Sequence, residues 1–279
     1  MDENKLLLAG LEDKYDRFVQ YNYLVSSDFL NLQQQSAAAG LLRKWNAGGA
    51  ATPGTHSGTG KVFLFGGYPD AERRQVVFVP DYMGVSDEAG LMEYFRQSPE
   101  DCPLVVLEMH YSSGGAGAGG KKLTHRDYLG SLLGEGIRRE KLGDILVHSD
   151  GAQVIVVREL ADYLMAHYGK AGRVSLSVQV SPINVINTAI SRRDTVKFTV
   201  SSPRLDSILS GVFNLSRKDA QEAVRCGLVF VNEVEATKPD RQLSGGEKLV
   251  LRGKGKAIYK GVDGTSKKGK LYVTLEKFV

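Results

Sequence analysis

Only two of the 279 residues are cysteine, Cys102 and Cys226. Two thiols cannot build a disulfide framework, and these two have no metal-ligand spacing. A reduced, cytoplasmic setting is the expectation. Long apolar runs are also missing. No stretch approaches the ~18 residues needed to span a bilayer. The opening Met1-Asp2-Glu3-Asn4-Lys5 carries both signs of charge ahead of only three leucines, unlike a secretory leader. His56, His110, His148 and His167 are scattered, so no metal and no cofactor is expected. What remains is an ordinary globular composition, 42% hydrophobic and 24% charged, long enough for two or three domains.

Charge is unevenly spread. The net charge is +4, but Val200–Val279 holds 15 Lys and Arg against 9 Asp and Glu, and the rest holds 21 against 23. The last quarter of the chain is therefore the part suited to a polyanionic partner.

The periodicities predict an α+β fold in three parts. In residues 1–60, Leu7, Leu8, Leu11, Tyr15 and Phe18 recur at helical spacing, and Ser27 or Asp28 is expected to cap a second helix running to about Trp45. Asn46–Gly60, rich in Gly, Ala, Ser and Thr, reads as a linker. Residues 61–182 interleave strands (62–65, 76–79, 104–109, 145–147, 154–157, 174–180) with helices around 91–95, 128–133 and 159–168, which predicts an α/β sandwich. Residues 183–279 form the last part, which opens on a linker running to Ser201-Ser202-Pro203. Leu205, Ile208, Leu209 and Val212 mark one helix. Ser216 caps another, with Ala220, Ala223 and Val224 on its buried face and Gly227 ending it. Strands are expected at 228–231, 247–252 and 271–275, with a lysine- and glycine-rich tail before the last.

Motifs for catalysis are weak. Gly115–Gly120 followed by Lys121 has phosphate-loop spacing, but Lys122 stands where the magnesium-binding Ser or Thr belongs. His125, Arg126 and Asp127 are adjacent on a helix and point about 100° apart, so they do not converge on one atom. Thr124 or Asp127 is expected to cap that helix. Phe63, Phe65 and Tyr68 are candidates for base stacking, with core packing the more ordinary role.

The second C-terminal helix carries the strongest physical signal. Arg217, Gln221 and Arg225 fall at i, i+4 and i+8, with Lys218 beside them, about 100° around from the Ala220–Val224 face. One face packs and the next presents guanidinium groups, whose fork suits phosphate. The unpaired N–H groups behind Ser216 attract anions. Arg217 reads as a surface residue whose removal changes stability by no more than about 0.5 kcal/mol.

Arg204-Leu205-Asp206, Leu215-Ser216-Arg217, Ala220, Gly227-Leu228-Val229-Phe230-Val231-Asn232, Lys238-Pro239 and Gly246-Glu247 together resemble the αL RNA-binding motif, named after the fourth protein of the small ribosomal subunit. Glu233 departs from it, standing where Gly is frequent. The resemblance implies RNA contacts at Arg204, Ser216, Arg217, Lys218, Gln221, Arg225, Asn232, Lys238 and Arg252. Arg138, Arg139 and Lys141, which follow the helix around 128–133, are candidates for a secondary RNA contact, with a solvated turn the more ordinary role.

Phe65-Gly66-Gly67-Tyr68, Ala71-Glu72-Arg73, Leu123–Gly130, Gly136–Lys141 and Gly143-Asp144-Ile145 resemble the YlmH family. The likeness runs nearly the whole chain. It implies a helical N-terminal segment, a middle domain similar to an RNA-recognition fold, and a C-terminal αL module. It further implies a non-enzymatic RNA-binding role with ribosomal RNA or tRNA on the large ribosomal subunit, in the rescue of stalled peptidyl-tRNA complexes. Small-molecule substrates and membranes are not expected partners. Two other classes stay open. One is an RNA-modifying enzyme, because pseudouridine synthases carry an aspartate in a tripeptide like Arg204-Leu205-Asp206. Against it, Leu209 stands where they have Thr, and the tripeptide lies inside the module; Asp206 is expected to cap a helix or pair with an Arg instead. The other is a cell-division scaffold, suggested by the family's genomic setting alone.

Overall fold

The computed structural model describes residues 3–47, 60–112, 122–186, 193–232 and 234–278. The chain folds as two compact units, Met1–Ile190 and Ser191–Val279. The combination of helices with antiparallel sheets makes it an α+β protein.

The first unit contains α1 (Glu3–Tyr21), β1 (Val25–Ser26), α2 (Leu32–Asn46), β2 (Lys61–Phe65), β3 (Gln75–Val79), α3 (Glu88–Gln97) and β4 (Leu104–Tyr111). These are followed by α4 (His125–Gly134), β5 (Leu142–Val147), β6 (Gly151–Val157), α5 (Ala161–His167), β7 (Lys170–Ala171) and β8 (Val174–Ser181). The periodic residues of α1 do what their spacing requires. Leu11 and Phe18 pack with Trp45 of α2 against Val62, Val76 and Phe78. α2 starts later than expected. Its cap is Asn31, in a reciprocal capping box with Gln34, rather than Ser27 or Asp28. Ser27 is occupied elsewhere: its hydroxyl accepts from the Val76 N–H while β1 pairs with β3. Residues before position 60 thus share a sheet and a core with those after it.

β4–α4–β5–β6–α5–β8 is a βαββαβ unit whose antiparallel sheet runs β5-β6-β4-β8, with β7 at the edge. This is the split βαβ topology that RNA-recognition domains share. Alternation along β4 divides its side chains between two cores. Val105, Leu107 and Met109 meet Tyr128 and Leu132 of α4 and Leu164 of α5. Leu104 and Val106 meet β2, β3 and α3 through Phe65, Val77, Val79, Leu91 and Phe95. The sheet face that such a domain offers to bases is therefore covered. Phe65 is 1% exposed and Tyr68 6%, so they pack in the core, as Phe63 does beside them. Thr124 and Asp127 form the expected capping box on α4. The glycine loop Gly115–Gly120, Lys121 and most of the expected linker at 46–60 lie outside the described residues.

The second unit holds β9 (Arg193–Val200), α6 (Leu205–Phe213), α7 (Arg217–Arg225), β10 (Val229–Val231), β11 (Val234–Glu235), β12 (Lys248–Leu251), β13 (Gly255–Thr265) and β14 (Leu271–Phe278). One sheet orders them β11-β10-β12-β13-β14-β9. Two expectations change here. Residues 193–200, read as linker, are a strand paired along its whole length with β14. Much of the lysine–glycine tail is strand β13, held between β12 and β14, with register shifts beside Gly261 and Gly264, and residues 266–270 form the turn into β14. Leu205, Ile208, Leu209 and Val212 of α6 and Ala220 and Val224 of α7 bury against this sheet. Asn214, at φ 51°, ends α6, and Ser216 opens α7. The turn between the helices is thus three residues long.

Among the described residues, no helix is long and apolar enough to cross a membrane. Nor does any group of three His, Cys, Asp or Glu there suit a metal ion.

α6 sits close on β9 because Gly211 has no side chain: a Cβ there would lie 2.3 Å from the Phe198 ring. Gly211→Val should overpack this contact and destabilise the second unit by about 1–3 kcal/mol. Thermal unfolding of the variant checks this, and an unchanged melting temperature would contradict the packing.

Candidate nucleic-acid interface

Three of the nine residues expected to bind RNA, Arg204, Arg217 and Gln221, meet one buried carboxylate. Asp206 stands in the first turn of α6 and is 0% exposed. Its oxygens accept from Arg204 Nε (3.2 Å) and a second Arg204 nitrogen (3.3 Å), from Arg217 Nε (3.2 Å), and from Gln221 Nε2 (2.8 Å). Ser207 Oγ adds a bond at 3.3 Å. Burial pushes the Asp206 carboxyl up, but the bonds from Gln221, Arg204 and Arg217 and the charge of Arg217 outweigh it and bring it down to about 2.

This arrangement follows from local sequence. The short turn after Asn214 folds α7 back beside α6, so Arg204 at the cap of α6 and Arg217 at the start of α7 both reach Asp206. Gln221 sits one turn further along α7 and reaches it too. The two guanidiniums are fixed on their inner side and remain open on the other, with the Arg217 side chain 56% exposed and that of Arg204 33%. Planar forks held this way lose little entropy on meeting a phosphate. Asp206 thus pairs with arginine, as its place near a helix start suggests.

Arg217 needs a correction. It is not a bystander to stability, because its Nε helps neutralise a buried anion, and removing one bond to such a charge costs about 1.5–3 kcal/mol.

The other expected residues distribute as follows. Ser216 caps α7 by accepting the Asp219 N–H. Lys218 is exposed in the first turn of α7. Arg225 lies two turns away, roughly 12 Å along the helix, and pairs with Glu222 at 3.5 Å. The backbone N–H of exposed Arg252 bonds Leu228 O just beyond the end of α7. Lys238 is exposed in the segment beside the start of α6, where Asp206 N–H donates to Pro239 O and Leu205 N–H to Arg241 O.

Asn232 is a turn residue. At φ 50° its Oδ1 accepts the Lys248 N–H, tying β10 to β12. Glu233 lies outside the described residues. Sequence reasoning missed Arg241, which pairs with Glu247 at 2.5 Å and braces the loop beside Lys238; the Gly246-Glu247 pair was its available signal.

The residues expected as a secondary contact are engaged inside the first unit. Lys141 Nζ bridges Asp28 (2.7 Å) and Glu159 (2.6 Å). Arg139 donates to the carbonyls of Leu142 and Gly143. Arg138 is the more exposed, with Glu140 at 3.3 Å. Beside them Asp144 accepts from Tyr68 OH and from the Glu72 and Arg73 N–H groups. The Arg73 guanidinium reaches the carbonyls of Phe29, Leu142 and Arg139. Burial, and then the Arg139 charge, lower Arg73 to about 10, and Asp144 and Glu72 partly offset the fall. These motif residues lock loops together.

Residues 98–185 match the family model described as a putative RNA-binding domain in YlmH, a span that covers the β4–β8 sheet and stops short of α6. The chain is 29% identical over 280 residues to the ribosome-associated protein quality control protein P2 of Bacillus subtilis, covering 99% of this chain and 95% of that protein. These two similarities support kinship with the YlmH family. A solved structure described as cell division protein ylmH from Streptococcus pneumoniae aligns over 67% of this chain and 96% of its own, at 18% identity and a TM-score of 0.47. A likeness that low adds no weight.

The depressed Asp206 carboxyl sets a pH dependence. Its ordinary value is 3.8 and its folded value about 2, so the stability it contributes is present above about pH 4 and lost as pH falls toward 2. Asp206→Asn should therefore lower the stability of α6–α7 by about 2 kcal/mol at neutral pH, with the gap closing between pH 4 and 2. Hydrogen exchange of the α6 amides across that range checks it; a gap that does not change with pH would contradict the ion network.

Proposed function

We propose that the protein binds structured RNA through the α6–α7 face and works in association with the ribosome, without catalysing a reaction. The single observation that carries this reading is the fixing of Arg204, Arg217 and Gln221 by the buried Asp206 carboxylate. A lone ion pair in a solvated helix face needs no such device. Here one buried anion holds two guanidiniums at the starts of two helices, and the start of α7 adds a helix end whose dipole favours phosphate. Lys218, Lys238, Arg225 and Arg252 extend the cationic surface. Ser216 contributes the cap, and Asn232 shapes the adjacent turn.

The charge of the last quarter of the chain supports the same reading, as do the αL-like motif and the putative RNA-binding domain description at 98–185. The name of the Bacillus subtilis relative supports a place in ribosome-associated quality control. In the fuller form of the proposal, the partner is ribosomal RNA or tRNA on the large subunit, in a complex holding stranded peptidyl-tRNA, in the cytoplasm. Chemistry at Asp206 is disfavoured on physical grounds: its oxygens are occupied by two arginines and a glutamine and are shut off from solvent.

Lys218 separates binding from folding, because it contributes charge without touching Asp206. Lys218→Gln should leave stability within about 0.5 kcal/mol of the parent. It should weaken binding to tRNA and to purified large subunits, and reduce the slope of log affinity against log salt by about one. Arg217→Gln should weaken binding and also lower the melting temperature. Fluorescence anisotropy across a salt series, with melting curves for each variant, tests both. A parent slope near zero, or a Lys218→Gln variant that binds like the parent, would overturn the assignment of this face.

A further inference from the structure

The first unit has a cavity that nothing above uses. It lies between α4 and the β7–β8 hairpin, on the helix side of the five-stranded sheet, with a volume of about 650 Å³. That is within the ~300–1,000 Å³ range of small-ligand sites. Leu123, Ala171 and Val174 give it apolar wall, Ser131 a hydroxyl, and Arg126 and Arg173 stand at its sides. Both arginines are exposed and make no ion pair or hydrogen bond among the described residues. Asp127 is the acid on the wall, and its Oδ2 accepts from Thr124 N (2.7 Å) and Thr124 Oγ1 (2.7 Å) in the cap of α4.

We infer that this cavity is a second RNA contact, taking one nucleotide unit of a single strand with its phosphate on Arg126 and Arg173 and its base against Leu123 and Val174. The inference rests on the reading of the protein as an RNA binder, and adds a site and a substrate class to it. The chemistry of the pocket is that of a nucleotide: an apolar slot for a ring face next to two unneutralised guanidiniums, which bond phosphate and also stack on bases. The fold gives a second reason. The sheet surface that a split βαβ domain uses for stacking is closed here by β2, β3 and α3. A strand reaching this unit has to be held somewhere else, and the α4 side offers the recess.

Gly130 supplies a test that leaves charge alone. It lines the cavity, and a Cβ there would meet no atom within 4 Å. Gly130→Leu should fill the slot without harming α4, since leucine favours a helix more than glycine does. The experiment compares parent, Arg126→Gln/Arg173→Gln, Gly130→Leu, and Arg43→Gln/Lys44→Gln as a charge-matched control at exposed positions of α2. The probe is a short fluorescent single-stranded RNA. Adenosine and uridine 5′-monophosphate are titrated in parallel against amide NMR signals.

The expected result is roughly ten- to hundred-fold weaker RNA binding for both pocket variants, from the loss of a charge-assisted contact in the double-arginine variant and from a filled slot in Gly130→Leu. The control should bind like the parent, melting temperatures should hold, and the Leu123, Ser131, Gly172 and Val174 amides should shift with mononucleotide. RNA binding unchanged in both pocket variants overturns the inference, as does an equal loss in the control. Amide shifts with unchanged RNA affinity would mark a free-nucleotide site and likewise overturn it. If Lys218→Gln weakens RNA binding while the pocket variants do not, the α6–α7 reading stands and this one falls. The converse pattern keeps the pocket and removes the α6–α7 assignment. A parent that binds no RNA removes both.

Discussion

The buried carboxylate of Asp206 is the constraint on which the candidate interface depends. A carboxylate with no exposed surface is tolerable only if its charge is met, and Arg204, Arg217 and Gln221 meet it from two helices. The consequence runs in both directions. The arginines keep the anion inside the fold, and the anion fixes the arginines at the surface. Binding and stability are therefore coupled at Arg217 but separable at Lys218, which shares the charge and not the contact.

The rest of the second unit serves that junction. The turn from Asn214 to Ser216 returns α7 to α6, and Gly211 lets α6 lie against Phe198 of β9. The segment around Pro239 runs past the start of α6, braced by Arg241 and Glu247. In the first unit the same kind of economy works to a different end. Asp144, Arg73, Arg139 and Lys141 engage their polar groups with loop carbonyls, backbone amides and opposite charges. Arg126 and Arg173 differ: among the described residues they make no ion pair or hydrogen bond, and both line a cavity.

Much of this was legible in the sequence where one helix face or one strand decides the outcome. The α6 and α7 periodicities, the Ser216 cap, the buried run 104–109 and the Thr124–Asp127 cap all appear in the structure as the spacing requires. What failed depended on partners distant in sequence. β13 has the glycines and lysines of a loop and is a strand because β12 and β14 pair with it on both sides. β9 carried a usable alternation in Val196, Phe198 and Val200, which was overshadowed by its neighbouring polar residues. Ser27 looked like a helix cap, but β3 had a prior claim on its hydroxyl. The site shows the same division. Spacing placed Arg217 and Gln221 on one stripe, but nothing in it said that a residue eleven positions earlier would sit beneath them. For Lys141, nothing in the sequence signalled its ties to Asp28 and Glu159, which lie far away in the chain.

The most direct measurement is a crosslink map taken in living cells, identifying both the RNA and the peptide at each crosslink. The account predicts ribosomal RNA or tRNA joined to peptides spanning Arg204–Arg225. Recovery of no RNA, or of RNA joined to the chain only at surfaces remote from α6 and α7 in the second unit, would contradict it.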